Sequence, residues 1–552
     1  MSDAADVAFV NGEIHTLTAP DETYEALAVR DGRIVRIGST YDVEFLAGVD
    51  TDVVDLKGRV LLPGFIDAHT HLTTVGRRLV HADLSAADSP TEAVDLLAER
   101  AAEVDADGGR PDDAWVLGYG YDESEWAENR YLTRRDLDRV PTGRPVAAFR
   151  EDMHVGAVDS TALATIETEV EAAPAETVPT DDDGEPTGVL LETALDAVYE
   201  AVAPGIEKTR ESIGAALAHC ARRGVTGFHD MVRGSDAPRV YREFDRAGAL
   251  TARVRVNYWS DHLDALREVG LGTNDGSAFV RTGAIKTFTD GSLGGHTAKL
   301  SEPYADAPDE SGQWVVDPGR LRALVETATA AGYQLTAHAI GDVAIDETLD
   351  AYAEAATDDL AVARHRIEHL ELATDDAIDR LADAGLVASV QPNFHKWAGR
   401  DGLYDARLGD RRTETNRLRE LHDAGVRLAF GSDGMPMDPL LGVHHAVTAP
   451  TPSQRLSVTE ALRAYTLGSA YAGFDEDRLG TVEVGKRADL VVLDGSPWEN
   501  PGSIRDIDVA MTVVDGDVVY DRDAVYDGDV VYDGDVVCDG DAPDGDATDD
   551  EG

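Results

Sequence analysis

Cysteine and positive charge are both scarce in this chain. Two cysteines, Cys220 and Cys538, stand among 552 residues. That is too few for a disulfide framework, and the expected compartment is a reducing, cytoplasmic one. Lysine occurs six times, at Lys57, Lys208, Lys286, Lys299, Lys396 and Lys486. All basic residues together number 49 against 106 acidic ones, a formal net charge of −57. No basic face exists to meet phosphate, which argues against a nucleic-acid partner. No run of 18 apolar residues occurs, so no membrane span is expected. The opening M-S-D-A-A-D-V lacks the basic and apolar regions of a signal peptide.

What remains is a long, acidic chain whose apolar fraction of 43% is ample for a core. Its length accommodates a large domain with one or two smaller parts. The acid is spread along the whole sequence rather than gathered at one end. Such a surface stays soluble where salt screens its self-repulsion, which reads as adaptation to a high-salt cytoplasm. An acidic exterior is compatible with an apolar homodimer interface.

Short strand patterns occupy residues 6–60 and return between 480 and 526. Asn11-Gly12 and Asp31-Gly32 have the composition of two-residue hairpin turns. At the other end, T-V-E-V-G, A-D-L-V-V-L-D and M-T-V-V-D-G-D-V-V-Y read as strands. The simplest organisation is one small β domain made from 1–60 and 480–526, with everything from 61 to 479 inserted between. In that central part, apolar strand candidates near 61–67, 225–229, 253–258, 281–287, 334–338, 365–369, 387–391 and 427–431 alternate with helical patterns such as Thr209–Arg223, Pro318–Ala331 and Asp375–Ala384. Eight strands alternating with helices predict an α/β fold of the (β/α)8 barrel type. The gap after the first strand is too long for one helix, so residues about 80–205 are an insertion, a lid or substrate-facing subdomain. It carries Trp115, Tyr119, Tyr121, Trp126 and Tyr131. Residues 527–552 continue a six-residue repeat, D-G-D-V-V-Y, into an acidic tail expected to be disordered.

Six side chains fall at the ends of these strands: His69 and His71 in D-A-H-T-H, Lys286 in G-A-I-K, His338 in L-T-A-H, His369 in R-I-E-H, and Asp433 in G-S-D. Ligands at the C-terminal ends of successive strands are how a barrel builds an active site. His-x-His puts two imidazoles on one side of an extended segment, able to grip one divalent ion, with nitrogen donors suited to zinc. Lys286 would repel a cation as an ammonium; it serves either as a carbamate formed with carbon dioxide or as the partner of a barrel acid. Asp433 is either a ligand that accepts a proton from water or a helix N-cap. His338 and His369 are candidate ligands of a second ion or packed residues.

Taken in order, H-x-H, Lys, His, His and Asp resemble the metal-dependent amidohydrolase superfamily. Within it, the chain is similar to the family 3 subgroup that includes N-substituted formamide deformylases. The likeness runs through P-G-F-I-D-A-H-T-H-L, I-K-T-F-T-D-G-S-L-G, A-H-A-I-G-D, R-I-E-H, G-S-D and the closing G-T-V-E-V-G-K-R-A-D-L-V-V-L-D. It implies a barrel with a composite β-sandwich domain. It implies one or two divalent ions, zinc expected, with His69, His71 and Asp433 on the more buried ion, His338 and His369 on the other, and a carboxylated Lys286 bridging. The implied reaction is attack of metal-activated hydroxide on a carbonyl of a small-molecule amide, formamide or cyclic amide, with Asp433 as the catalytic proton shuttle. The subgroup usually has Arg where this chain has His296. His154, His296, Gln391, His395 and Trp397 are candidate substrate contacts or packing residues. Other reactions on the same site (ester hydrolysis, decarboxylation, isomerisation) and a non-catalytic relative are the alternatives; the complete ligand set weighs against the last.

Overall fold

The structure, a computed structural model, describes residues 4–106, 115–123, 126–151, 153, 155–356 and 360–524. His154, Cys538 and the repeat tail at 527–552 lie outside the described residues.

Eight parallel strands form one sheet in chain order: β1 (Phe65–Thr70), β2 (Val225–Val232), β3 (Arg253–Trp259), β4 (Val280–Phe288), β5 (Leu335–Ala339), β6 (Arg366–His369), β7 (Val387–Val390) and β8 (Arg427–Phe430). Helices cover the outside, so the strands are buried on both faces and read as nearly continuous apolar runs. Every residue of β2 is buried. Between strands the helices follow their local signals. Asp375–Ala384, for example, is capped by Thr374, whose side chain accepts from Ala377 N, and ends at Gly385 with φ 64°, a left-handed cap glycine tolerates. The result is a (β/α)8 barrel.

The ends of the sheet meet at a seam. Ser432 N and Oγ donate to Asp67 at 3.0 and 2.5 Å, Asp433 N donates to His69 O at 2.8 Å, and Arg366 donates to Ala68 O at 2.6 Å. Side chains and the turn after β8 thus close the barrel between β1 and β8.

The first barrel strand begins later than the sequence suggests. Val60–Pro63 belongs to another sheet, where it pairs antiparallel with Leu490–Leu493 and parallel with Glu13–His15. Gly64 divides the two strands, and a Cβ there would lie 2.3 Å from the Thr226 side chain. Strands from both ends of the chain therefore share a six-stranded sheet. A four-stranded sheet of Arg33–Gly38, Ala26–Arg30, Val7–Val10 and Asp52–Asp55 faces it, and Phe9, Leu27, Ile34, Leu61, Leu490 and Val513 pack in one apolar cluster between them. Asp31-Gly32 makes the expected hairpin turn, with φ 52° and 69°. Asn11-Gly12 does not: Val7–Val10 and Glu13–His15 pair in different sheets, and the turn hands the chain from one to the other. T-V-E-V-G is likewise not a strand, because Lys486 N closes a turn onto Glu483 O.

The insertion has a mixed five-stranded sheet of its own, made of Ala82–Asp83, Val116–Tyr121, Val146–Arg150, Val155–Val158 and Val189–Leu191. Tyr119, Tyr121 and Trp126 are buried in its core rather than forming a substrate-facing surface. Cationic side chains join it to the barrel, Lys396 and Arg78 among them. Lys396 contacts Glu151 at 2.5 Å, and Arg78 donates to both Glu151 O and Gly434 O. Among the described residues no helix is long and apolar enough to cross a membrane.

Candidate metal centre

The candidate ligands gather at the C-terminal end of the barrel. His69 lies within β1, and His71 immediately precedes the helix Leu72–Val80. That helix is held at its start by Asp230, whose Oδ1 accepts from Leu72 N at 2.8 Å, so His71 is fixed from both sides. The other ring nitrogen of each histidine has a partner that can only accept. His69 Nδ1 faces the Glu368 carboxylate at 2.5 Å, and His71 Nδ1 faces the Met231 carbonyl at 3.2 Å. Both Nδ1 atoms must carry the proton, which leaves both Nε2 lone pairs free. These point to the same atom: Asp433 Oδ1 is 3.5 Å from His69 Nε2 and 3.4 Å from His71 Nε2. Asp433 caps no helix; the next one, Pro439–Thr448, is capped by Asp438.

His369 joins this group. One ligand atom each from His69, His369 and Asp433 lie within 4.8 Å of one another, while the ring centres of His338 and His369 are 4.4 Å apart. His369 thus stands between His69 and His338 rather than with His338 alone. His338 Nε2 meets Gly291 O at 3.0 Å, so its Nδ1 is the free nitrogen. Burial, assisted by the Lys286 charge, lowers the pKa of His71 to about 4 and of His338 to about 3. Each of the four imidazoles is shifted toward its neutral form, the one that binds metal. His369 adopts a φ of 71°, a sparsely populated region for residues with a side chain.

Lys286, 1% exposed, has no hydrogen-bond partner for Nζ. Burial pulls its pKa down to about 8 against the opposing charges of Glu368 and Asp433. The sequence alternative, a barrel acid bonded to this amine, is not what the structure contains. A buried, unpartnered polar atom is uncommon in proteins and asks for a missing partner. The donor set fits a metal: neutral imidazole nitrogens, a carboxylate oxygen and an unsatisfied lysine at one focus.

This arrangement has relatives. The amidohydrolase family matches residues 52–520 of the chain. The chain belongs to the amidohydrolase family. YtcJ of Bacillus subtilis is 32% identical, over 92% of this chain and 98% of that relative. The N-substituted formamide deformylase of Arthrobacter pascens is 27% identical, over 94% and 99%. Among solved structures, an uncharacterized metal-dependent hydrolase from Pyrococcus furiosus superposes with a TM-score of 0.74 at 31% identity, over 89% of this chain and 99% of that one.

Other residues of this amidohydrolase take less direct positions. Gln391 is buried beside the His369 ring, short of hydrogen-bond geometry. His395 is buried with neither ring nitrogen bonded, and Trp397 packs on Phe394 at 4.8 Å. His296 is committed to Asp306 at 3.0 Å in the loop after β4. Sequence reasoning misses the acids behind the histidines. Asp290 accepts from Lys299 N, Ile340 N and Gly341 N at 2.7, 3.0 and 2.8 Å. It ties the loop after β4 to the end of β5, which presents Gly291 O to His338. Asp67 closes the seam, and Glu368 holds His69. Their one sequence signal is an acid inside an apolar strand motif, F-I-D-A-H, F-T-D-G or R-I-E-H.

Proposed function

We propose that this amidohydrolase cleaves a non-peptide C–N bond in a small amide, formamide or cyclic amide, at a centre that holds one or two divalent ions, zinc by its donors. The observation that carries this reading is the convergence of two imidazole nitrogens, each with its partner nitrogen locked as donor, on one oxygen of Asp433. His69, His71, His369 and Asp433 would hold one ion, and His338 and His369 face the place of a second. A bound divalent ion polarises the substrate carbonyl and lowers the pKa of water toward neutrality. Asp433, 19% exposed at the side chain, accepts a proton on Oδ1 and passes it to the leaving nitrogen, general acid–base work worth about 10²–10⁴-fold. Lys286, as the neutral amine, would add to carbon dioxide, forming a C–N bond and releasing a proton from Nζ to solvent; the resulting anionic carbamate would supply a further ligand to the centre. Support for the bond type comes from the Arthrobacter relative, and for the metal from the Pyrococcus structure.

The test is metal content per chain, with turnover of a panel of formamides, amides, cyclic amides and esters, for wild type, Lys286→Ala and Asp433→Asn. Wild type should contain divalent metal, Lys286→Ala less, and Asp433→Asn should keep metal while losing about 100-fold or more of its turnover. A wild type without metal, or a fully active Asp433→Asn, refutes the reading. Turnover of the esters alone would refute the bond type.

A further inference from the structure

The interior of a (β/α)8 barrel is normally filled by layers of branched apolar side chains. Beneath this centre stands an ion pair instead: Arg366 and Glu368, both 0% exposed, at 2.8 Å. A dry ion pair is at best neutral for stability against an apolar replacement, so its presence needs another reason.

The contacts supply one. Arg366 Nε donates to Glu368 Oε1 at 2.9 Å, and its remaining donors reach His229 Nδ1, Ala68 O and Ser389 Oγ. Thr336 also donates to Glu368 Oε1. Strands β1, β2, β5 and β7 therefore all hold this pair on β6. Every one of Glu368's other bonds ends on Oε1, which leaves Oε2 for His69 Nδ1. An ionised carboxylate only accepts, so it dictates which nitrogen of His69 carries the proton.

We propose that Glu368, clamped by Arg366 and Thr336, is a positioning residue that sets His69 as an Nε2 ligand before any metal arrives. The proposal rests on the metal-dependent reading above. It explains why an ion pair occupies the barrel core: the clamp immobilises the carboxylate that immobilises the ligand. Partners of this kind behind metal-bound histidines change metal affinity by about 10- to 100-fold.

The experiment is zinc affinity of the metal-stripped full chain, by competition with a chelator, with melting temperature measured in parallel. Glu368→Gln should weaken the tightest zinc site about 10- to 100-fold, and Thr336→Val should weaken it less. Ser389→Ala removes one contact of Arg366, whose Nη2 keeps Ala68 O and Glu368; it should lower melting and weaken zinc affinity far less than Glu368→Gln. Glu368→Gln with wild-type affinity overturns the proposal. So does a Ser389→Ala loss of affinity as large as that of Glu368→Gln, since the network would then act only through stability. If Glu368→Gln does not fold, an unchanged affinity in Thr336→Val overturns it. A wild type that binds no zinc overturns both this proposal and the proposed function; zinc binding that Glu368→Gln leaves untouched overturns this proposal alone.

Discussion

Gly431 offers a sharp test of how the barrel seam carries the site. It follows β8, and a Cβ at this position would lie 2.4 Å from His69 N, 2.7 Å from His69 Cβ and 2.9 Å from His69 Cα. The His69 backbone has nowhere to go, because its N–H is held by Asp67 and its carbonyl by Asp433 N. Ordinary carbon contact begins near 3.5 Å, so Gly431→Ala must part the two strands by about 1 Å. Overpacking of this kind costs about 1–3 kcal/mol, and a misplacement of about 1 Å at a reacting centre costs about 100-fold in rate. The assay pairs melting temperature with turnover of a panel substrate, against Gly143→Ala, where the added Cβ meets nothing within 4 Å. Gly431→Ala should lose both stability and turnover while Gly143→Ala loses neither. Wild-type turnover in Gly431→Ala would show that His69 is not fixed by the seam.

Three other outcomes are expected. Arg253, buried on β3, grips Asp489 at 2.6 and 2.9 Å and Asp515 at 2.8 Å; Arg253→Ala strands a buried carboxylate and should lower stability by about 3–5 kcal/mol with metal content unchanged, and a loss of metal would show that this end of the barrel also shapes the site. Burial raises the Asp230 carboxyl to about 6, against Tyr241 and Leu72, which favour its charge. Its proton is therefore held more tightly folded than unfolded: the stabilisation is complete below about pH 4 and is lost as pH rises to about 6, on the order of 3 kcal/mol, so chemical denaturation across that window should slope less for Asp230→Asn, and equal slopes would refute the assignment. Finally, with a net charge of −57, folding and activity should need molar salt to screen self-repulsion; equal stability in dilute buffer would overturn the halophilic reading.

Much of this is legible in the sequence because parallel barrel strands are apolar on both faces, and ligand positions follow them directly. Five of the eight strands, β1, β4, β5, β6 and β8, fall where apolar runs stop at His, Lys or a G-S-D turn. The limits have physical causes. L-L-P-G-F-I-D-A is one apolar run in sequence and two strands in space, since Gly64 lets the chain pass Thr226 closely enough to change sheets. Asn11-Gly12 has hairpin chemistry, yet pairing partners far along the chain decide what the turn connects. The Glu368–His69 contact spans 299 residues, and nothing local in R-I-E-H distinguishes a glutamate that faces a histidine from one that faces solvent.

Backbone strain is present at the site without being confined to it: Leu17, Lys57, Met153, Glu192, Arg364 and Phe474 also have positive φ. Positive φ at Asp31 and Asp515 falls on a residue type that tolerates left-handed turns, each followed by Gly, and turn chemistry accounts for it. Asp433-Gly434, at 56° and 70°, follows the same pattern, but His369 and Leu370 are both left-handed, at 71° and 52°, and consecutive histidine and leucine have no such turn chemistry. Such residues cost on the order of 1–3 kcal/mol each and persist where the surroundings over-determine them. Here the surroundings are the same ones that keep a dry ion pair and an unpartnered lysine. Three kinds of locally unfavourable structure (backbone, charge and hydrogen bonding) meet within one shell around His69, whereas consistent local preference governs the strands and helices that carry it. Glu368→Gln, which leaves the buried Arg366 without its carboxylate, should therefore cost stability together with zinc affinity.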